Sequence, residues 1–335
     1  MDSLKNFGES IRDINYIFFH DQEPVHLDIH KPLFDDVIRR TRNLDTRNTV
    51  NNCAMITSEW NSEFVDQVCS QYQWSHYYYF YHGWAALDWY RGYNRTWLMP
   101  DVNSRRINKS FISPNRIVGG KRDHRVLLLY HIFKNRVKNA WISCPKICPF
   151  ESLPIDQVAG KFQHLYPDIC SVFQNTNLPM NFTNEIGHPM HSCWLSLFDE
   201  CAETMVYLVT ETVFTGRRNH LTEKIFKPIC LQMPFVLVSS AGSLSYLKRY
   251  GFQTFGDIWD ESYDEETNDL LRLEKIAKLV VDFDNLCKQD LQSLYDQALP
   301  VIKHNFEHFY NGGFESILWD ELHGMLVKIK NDFRI

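Results

Sequence analysis

The sequence predicts an α/β fold built on parallel sheets, and two features of its 335 residues carry that prediction. Residues 205–251 run through an apolar strand, a helix, a second apolar strand and a second helix. The first third of the chain shows the same alternation in shorter pieces. Strands that alternate with helices are typical of parallel α/β layers, and a chain of this length normally needs more than one hydrophobic core. We therefore expect two α/β domains with ligands at the carboxyl ends of their strands.

The composition restricts the classes of function. Hydrophobic residues make up 44% of the chain and charged residues 23%, as in an ordinary soluble globular protein. The formal net charge of −6 argues against broad nonspecific binding to nucleic acid, because such binding needs a basic face. Aromatic residues reach 14%, enough to line sugar-binding sites as well as hydrophobic cores.

Cysteine usage and hydropathy predict a reducing, cytoplasmic environment. The 9 cysteines have no paired spacing, no leader-like segment precedes Glu23, and no apolar run approaches the roughly 20 residues of a membrane span. Cys144 and Cys148 have no second ligand pair near them, so we expect no metal there. We expect the sequons at Asn94, Asn108 and Asn181 to be unglycosylated.

Polar side chains follow both predicted strands of the first third. The predicted elements are strands at 16–19 and 53–56 and helices at 35–42 and 62–70. His-Asp-Gln-Glu follows the first strand at 20–23, and Thr-Ser-Glu follows the second at 57–59. Ser62 is the predicted cap of the second helix. Because parallel strands end at one edge of a sheet, Asp21, Glu23 and Glu59 are candidate catalytic carboxylates. Asp88, in the aromatic segment that follows, competes with them for the same role.

The densest aromatic segment of the chain spans residues 76–93, HYYYFYHGWAALDWYRGY. One interpretation is a buried strand followed by a turn at Gly83. The other is a carbohydrate pocket, because aromatic faces here alternate with hydrogen-bonding groups. The residues that this second interpretation places in an acceptor pocket are His82, Trp84, Asp88 and Arg91, with Arg95 just beyond them.

A polar segment without periodicity, residues 100–109, marks the predicted domain boundary. We expect an N-terminal acceptor-side domain at 1–105, a nucleotide-sugar-binding domain at 106–290 and C-terminal helices at 291–335 that can cross back to the first domain. The second domain begins with a strand at 111–113, a loop, a helix at 126–139 and a strand at 140–143. No organisation is predicted for residues 145–200.

The loop at residues 114–125 carries two glycines and several cations. The cations are Arg116, Lys121, Arg122 and Arg125. The glycines would permit close approach of the backbone to a phosphate, although their spacing matches neither the dinucleotide-binding nor the Walker pattern. A solvated basic loop is the alternative interpretation.

The start of the helix after the strand at 205–209 has the chemistry of an anion site. Thr222 is its predicted cap, and Glu223 and Lys224 follow in the first turn, where free backbone N–H groups favour an anion. Ordinary helix capping without a ligand is the alternative. The elements predicted beyond it are a strand at 235–238, a helix ending near 251, an acidic loop at 257–266 and helices at 272–281, 291–309 and 315–330.

Several segments, in the same order along the chain, resemble the alpha-1,3-fucosyltransferase family, with patchy coverage from about residue 52 to residue 255. These segments are MITSEWNSEF, YFYHGWAALDWYRGYNRTWLMP, SPNRIVGGKRDHRVLLLYHIF and YLVTETVFTGRRNHLTEKIFKPICLQMPFVLVSS. The resemblance implies the GT-B architecture, two Rossmann-like domains with an interdomain cleft. It departs from the family where Val-Thr-Glu-Thr replaces Phe-Glu-Asn and Met-Pro-Phe replaces Val-Pro-Val, and these departures leave the donor sugar open.

The resemblance also implies roles for individual residues. Glu59 takes the place of the general base, Arg125 that of the donor-phosphate arginine and Glu211 that of the family's first glutamate. Glu223 would bind ribose or sugar hydroxyls, and Lys224 the diphosphate. The further cations expected to bind the donor are Arg116 and Arg122.

The expected function is inverting transfer of fucose or another sugar from a nucleotide-activated donor, such as a GDP-sugar, to a hydroxyl of a glycan or other acceptor. We expect no cofactor and no metal, because no carboxylate pair with metal-ligand spacing lies near the donor motif. If the reaction does require a metal, we expect its ligands at Asp260, Glu261 and Asp264, which we call the fallback metal ligands.

Two alternative functions remain. A similarity to phage-encoded glycosyltransferases, in which His-Asp-Gln-Glu-Pro and Asp-Glu-Ser-Tyr-Asp recur, implies a hydroxymethylated DNA base as acceptor and the host cytoplasm as location. The net charge disfavours DNA, although one cluster could face it: Arg91, Arg95, Arg105, Arg106 and Lys109. The other alternative is a non-catalytic carbohydrate-binding protein with this fold.

Overall fold

Two parallel sheets organise the chain. The computed structural model describes residues 16–20, 23–44, 53–94, 99–182 and 193–333. The chain divides into a first unit, Met1–His82 with Ser316–Ile335, and a second unit, Gly83–Glu315. The boundary expected near residues 105 and 106 lies inside the second unit. The α/β class with parallel sheets is confirmed.

The first sheet contains β1 (Tyr16–His20), β2 (Cys53–Thr57) and β3 (Ser75–Tyr78) in that spatial order. Both pairings are parallel, and His20 lies opposite Thr57, which lies opposite Tyr78. The carboxyl ends of the strands therefore meet at one edge, where Ser58 and Glu59 follow β2.

Helices α1 (Leu27–Leu44) and α2 (Glu63–Tyr72) accompany this sheet. Phe34 of α1 and Val65 of α2 are buried together with Met55 of β2, which forms the core of this unit. Ser62 is the helix cap that the sequence predicts, since its hydroxyl accepts a hydrogen bond from Val65 N at 3.3 Å.

The aromatic segment folds as β3 followed by helix α3 (Tyr81–Tyr90), and Gly83 lies within that helix. The predicted turn at Gly83 is therefore wrong. A C-terminal helix, Gly313–Phe333, contributes the remainder of the first unit. There Tyr77 OH donates to Asp332 at 2.7 Å, and Phe80 N donates to Glu321 at 2.8 Å.

The second sheet has the order β5-β4-β6-β7, again with parallel pairings throughout. Its strands are β4 (Lys109–Ser113), β5 (Trp141–Ile142), β6 (Thr204–Thr210) and β7 (Phe235–Val238). Every residue of β6 is buried, as expected for a central parallel strand that is covered on both faces. Thr210 pairs with Val238, so β6 and β7 end at the same level.

Helices connect these strands and close the second unit. They are α4 (Asp123–Lys134), α5 (Ile155–Ala159), α6 (Ile169–Gln174), α7 (Phe198–Ala202), α8 (Glu223–Cys230), α9 (Ser243–Lys248), α10 (Asp269–Asp284) and α11 (Lys288–Tyr310). Helix α4 begins and ends earlier than predicted, and Arg136, just beyond it, has a positive φ of 53°. Helices α5 and α6 and the start of α7 lie within residues 145–200, for which the sequence predicted no organisation. Among the helices of the described ranges, none is both long enough and apolar enough to cross a bilayer.

Candidate functional site

Glu211 lies directly after β6 and forms the centre of a polar network at the carboxyl edge of the second sheet. The side chain is fully buried. Its Oε2 accepts the Thr222 hydroxyl at 2.6 Å, and its Oε1 accepts Thr222 N at 3.1 Å. Burial raises the pKa of the Glu211 carboxyl, while the Lys224 ammonium and the Thr222 hydrogen bonds oppose that rise. The two bonds to Thr222 close the loop at residues 212–221.

Thr222 caps α8 and receives further hydrogen bonds from the first turn. Its hydroxyl accepts from Lys224 N at 3.4 Å and from Lys224 Nζ at 3.0 Å. The Lys224 ammonium also pairs with Glu223 at 3.1 Å, and its side chain is 31% exposed against 10% for Glu223. The structure thus brings Glu211, Glu223 and Lys224 into one network, with Lys224 as its most accessible charge.

Arg125, in the first turn of α4, lies against the backbone of the same strand end. Its guanidinium donates to the carbonyls of Ile117 at 2.8 Å, Thr210 at 2.7 Å and Glu211 at 3.2 Å. Burial and the nearby Arg122 lower its pKa to about 10. These three carbonyl contacts hold the loop before α4 against the end of β6. Arg125, the residue that the resemblance places at the donor phosphate, is therefore a buried clamp between this loop and the end of β6.

The two glycines of the loop before α4 allow the backbone to approach Glu151 closely. Gly119 and Gly120 have positive φ values of 92° and 61°. Gly120 N donates to Glu151 at 2.7 Å, and a Cβ on Gly119 would lie 2.8 Å from the same carboxylate. The close backbone approach thus accommodates Glu151. The neighbouring cations Arg116 and Arg122 are half-buried.

A cavity of about 960 Å³ opens at the carboxyl end of β7. The loop at 212–221 contributes Gly216 and Arg217 to one wall, and residues 241–248 and 260–265 contribute to the others. Asn219 Nδ2 donates to Ala241 O at 3.0 Å, which joins two of these walls. Sequence reasoning named three of the lining residues, Asp260, Glu261 and Asp264, as fallback metal ligands. It did not predict the cavity, because the lining comes from segments far apart in the chain.

Arg272 holds the cavity walls together and was not recognised from the sequence. The side chain is 1% exposed, and its guanidinium donates to the carbonyls of Ser239 at 3.1 Å, Glu266 at 2.7 Å and Phe214. It also pairs with Asp269 at 2.6 Å. In the sequence it is one cation within a helical pattern, so no local signal indicates this role.

The fallback metal ligands accept hydrogen bonds from other groups of the protein. Asp260 accepts from Ser262 N at 2.8 Å, and Glu261 accepts from Phe255 N at 2.9 Å. Within the described ranges, no group of three or more potential metal ligands comes together. An Asp-x-Asp spacing at Asp282 and Asp284 lies at the end of α10, where Asp284 accepts from Asn139 N at 2.8 Å.

Glu59 lies at the carboxyl edge of the first sheet and is 2% exposed. Its Oε2 accepts the Ser62 hydroxyl at 2.7 Å, and its Oε1 accepts Val25 N. The carboxylate thus ties the end of β2 to the start of α2 and to the turn before α1. Of its competitors, Glu23 and Asp88 are exposed, and Asp21 lies outside the described residues.

The predicted acceptor-pocket residues lie on α3 and the 3₁₀ turn after it, in different environments. His82 is buried and Trp84 is half-buried. Asp88 and Arg91 form an ion pair at 3.2 Å with side chains 65% and 79% exposed, so these two face solvent. Arg95 lies outside the described residues.

The assignment of Arg105 to the suggested DNA-facing cluster is wrong, because its side chain is buried. Arg105 is 4% exposed, and its guanidinium donates to the carbonyls of Gln232 at 2.7 Å, Leu231 at 3.1 Å and Pro100 at 3.2 Å. It therefore caps the end of α8 and is not a surface cation. A long cationic side chain can satisfy free carbonyls at a helix end, and no local pattern distinguishes that from exposure.

Comparison with known proteins gives no assignment: no family model, no curated protein and no solved structure matches the chain.

Proposed function

We propose that the chain is an inverting glycosyltransferase of the GT-B type that moves a sugar from a nucleotide-activated donor to a hydroxyl acceptor. One observation carries the proposal. The bonds between Glu211 and Thr222 close a loop at the carboxyl edge of a parallel sheet, and that loop forms a wall of the 960 Å³ cavity. Such edges are where α/β sheets bind ligands, and cavities for small ligands measure about 300–1,000 Å³.

The donor would bind to the second unit. Lys224 is the partly exposed cation of the network, at a helix start where backbone N–H groups also favour an anion. Departure of a nucleoside diphosphate leaves negative charge on the phosphate oxygen, and a fixed cation stabilises that charge as it grows. Arg125 would act indirectly, by holding the strand end that carries Glu211 in place.

The acceptor would be activated by Glu59 of the first unit. In the proposed step, the carboxylate removes the proton of the acceptor hydroxyl while its oxygen attacks the anomeric carbon. The bond from that carbon to the diphosphate breaks, and the leaving group keeps the electron pair. Glu59 Oε2 already accepts a hydrogen bond from the Ser62 hydroxyl, which is the type of hydrogen bond that the acceptor hydroxyl would form.

The decisive experiment is a panel of nucleotide sugars tested against the wild-type chain by calorimetry and by donor hydrolysis, followed by transfer to a panel of acceptors. We expect one nucleotide class to bind and to be hydrolysed slowly without acceptor. Lys224→Ala should weaken donor binding by about tenfold, whereas Lys278→Ala, a change at an exposed lysine of α10, should not. If no nucleotide sugar binds or is cleaved, the proposal is wrong.

A further inference from the structure

The hairpin at residues 146–155, which follows β5, carries three exposed large hydrophobic side chains. Its turn is closed by Cys148 N, which donates to Leu153 O at 2.8 Å. Ile147, Phe150 and Leu153 are 56%, 65% and 42% exposed, and Phe150 is the most exposed large hydrophobic side chain in the described ranges. Apolar side chains clustered in this way on a protein surface mark a site of contact with a partner or a membrane.

The hairpin is fixed to the rest of the second unit with these side chains outward. Cys148 is fully buried, and its thiol donates to Val118 O. Glu151, in the turn, accepts from Gly120 N at 2.7 Å and from Lys161 Nζ at 2.7 Å. Because the first arm and the turn are both anchored in this way, the fold itself holds the three apolar side chains outward.

Cations outnumber carboxylates around the hairpin, although the chain as a whole has a net charge of −6. In residues 114–124 and 145–161 the cations are Arg116, Lys121, Arg122, Lys146 and Lys161, and the carboxylates are Asp123, Glu151 and Asp156. Lys161 pairs with Glu151 at 2.7 Å and with Asp123 at 3.3 Å. Two of the three carboxylates thus share a cation, and the surface around the apolar side chains is locally basic.

Two exposed lysines lie beside the apolar side chains. Lys146 directly precedes Ile147, and Lys121 directly follows Gly120. The Phe150 ring lies against Gly120, since a Cβ added there would be 2.8 Å from the ring. An apolar turn with ammonium groups next to it matches the surface of an anionic bilayer, where acyl chains begin just below negatively charged headgroups.

We propose that the 146–155 hairpin inserts into the surface of an anionic lipid bilayer, with its three apolar side chains below the headgroups and Lys121 and Lys146 against the lipid phosphates. The contact is peripheral, because three side chains bury far less apolar surface than a spanning helix, so binding is reversible and sensitive to salt. The hairpin follows the carboxyl end of β5, so docking places that edge of the second sheet near the lipid. The proposal goes beyond glycosyl transfer and does not depend on it.

The test is flotation of the full chain with vesicles of phosphatidylcholine alone and with vesicles of phosphatidylcholine mixed with phosphatidylserine. We expect binding to the mixed vesicles that weakens as salt is raised, and weaker binding to phosphatidylcholine alone. Phe150→Ser should weaken binding to the mixed vesicles by about tenfold, because the ring no longer contributes apolar burial. Lys146→Gln should weaken it by about fivefold, the effect of one cation near an anionic surface.

Leu153→Ser and Leu271→Ser form a matched pair, because the two leucines are similarly exposed and Leu271 lies on α10, outside the hairpin. Only Leu153→Ser should weaken vesicle binding, and unchanged melting temperatures would show that both variants fold.

The inference is overturned if the wild type does not float with the mixed vesicles, or if the Phe150 and Leu153 variants bind them as tightly as Leu271→Ser. It is also overturned if sedimentation shows a dimer that Phe150→Ser converts to a monomer, because a second copy of the chain would then cover the hairpin. None of these results bears on the nucleotide-sugar panel, which tests the proposed function separately.

Discussion

Glu59 in the first unit and Glu211 in the second occupy equivalent positions in two parallel sheets. Each follows a buried strand, each is almost completely buried, and each accepts the hydroxyl of the residue that caps the next helix. The distances from carboxylate to hydroxyl are 2.7 Å for Ser62 and 2.6 Å for Thr222. In both units a carboxylate thus fixes the start of a helix at the carboxyl edge of its sheet.

The two positions differ in what lies between the carboxylate and the cap. Trp60 and Asn61 alone separate Glu59 from Ser62, whereas the loop at 212–221 separates Glu211 from Thr222 and forms a wall of the cavity. Lys224 also adds a cation to the second network. The same carboxylate-to-cap bond therefore closes a short turn in the first unit. In the second unit it closes a longer loop that forms a wall of the cavity.

The largest expected effect separates the two glutamates by function. Glu59→Gln should lower kcat by about 10²–10⁴-fold and leave donor affinity nearly unchanged, because an amide cannot accept the acceptor's proton. Glu211→Gln should alter donor affinity more than kcat, because it loosens the loop on the cavity wall. Transfer kinetics and donor titrations on both variants measure this contrast. Near-wild-type kcat for Glu59→Gln would remove the general-base assignment.

The next effect concerns the clamp beside Glu211. Arg125→Ala should lower the free energy of unfolding of the second unit by about 3–5 kcal/mol, because buried carbonyls lose their donors. Arg125→Lys should cost less, since an ammonium replaces part of the donor set. Denaturant melts and hydrogen exchange of α4 amides measure the loss. Arg91→Ala, at an exposed position, is the control, and an equal loss there would contradict the clamp.

A smaller effect depends on pH and distinguishes Glu211 from a neutral isostere. Burial raises the pKa of Glu211 in the folded state above its unfolded value. Its contribution to stability is therefore present in full below the unfolded pKa and is lost as pH rises through the folded pKa. The stability of the wild type relative to Glu211→Gln should fall as pH rises from about 4 through the folded pKa. Melts of both proteins across that range test the sign, and a relative stability that increases with pH would contradict it.

The smallest effect compares the two caps. Ser62→Ala and Thr222→Ala should each cost about 1 kcal/mol, the usual cost of losing a capping hydroxyl. The loss at Thr222 should be the larger, because its hydroxyl also receives the Lys224 ammonium. Hydrogen exchange of the first amides of α2 and α8 would report each cap separately. Equal protection in wild type and variant would show that the cap does not hold that helix start.

Much of the fold was predictable because its signals are local. The strands at 53–56, 111–113 and 235–238 are apolar runs bounded by polar residues or proline, and all three are strands in the structure. The caps Ser62 and Thr222 were predictable because a hydroxyl before a helical pattern satisfies a free N–H within the next turn. The prediction of a turn in the aromatic segment was wrong because a run of aromatic residues is compatible with both a strand and a helix. Packing against the neighbouring elements decides between the two.

The sequence by itself determined the α/β class, the alternation of strands and helices, and the placement of Thr222, Glu223 and Lys224 at one helix start. That Glu211 joins them was decided by the tertiary structure. Only the tertiary structure decided which cations are buried and which are exposed. Arg125 and Arg105 are clamps because their carbonyl partners come from Thr210 and from the end of α8, far along the chain. Lys248 and Arg217, by contrast, are exposed and line the cavity. A long cationic side chain can either bind buried carbonyls or lie exposed at the surface. Which of the two it does depends on whether backbone carbonyls from distant parts of the chain lie close to it.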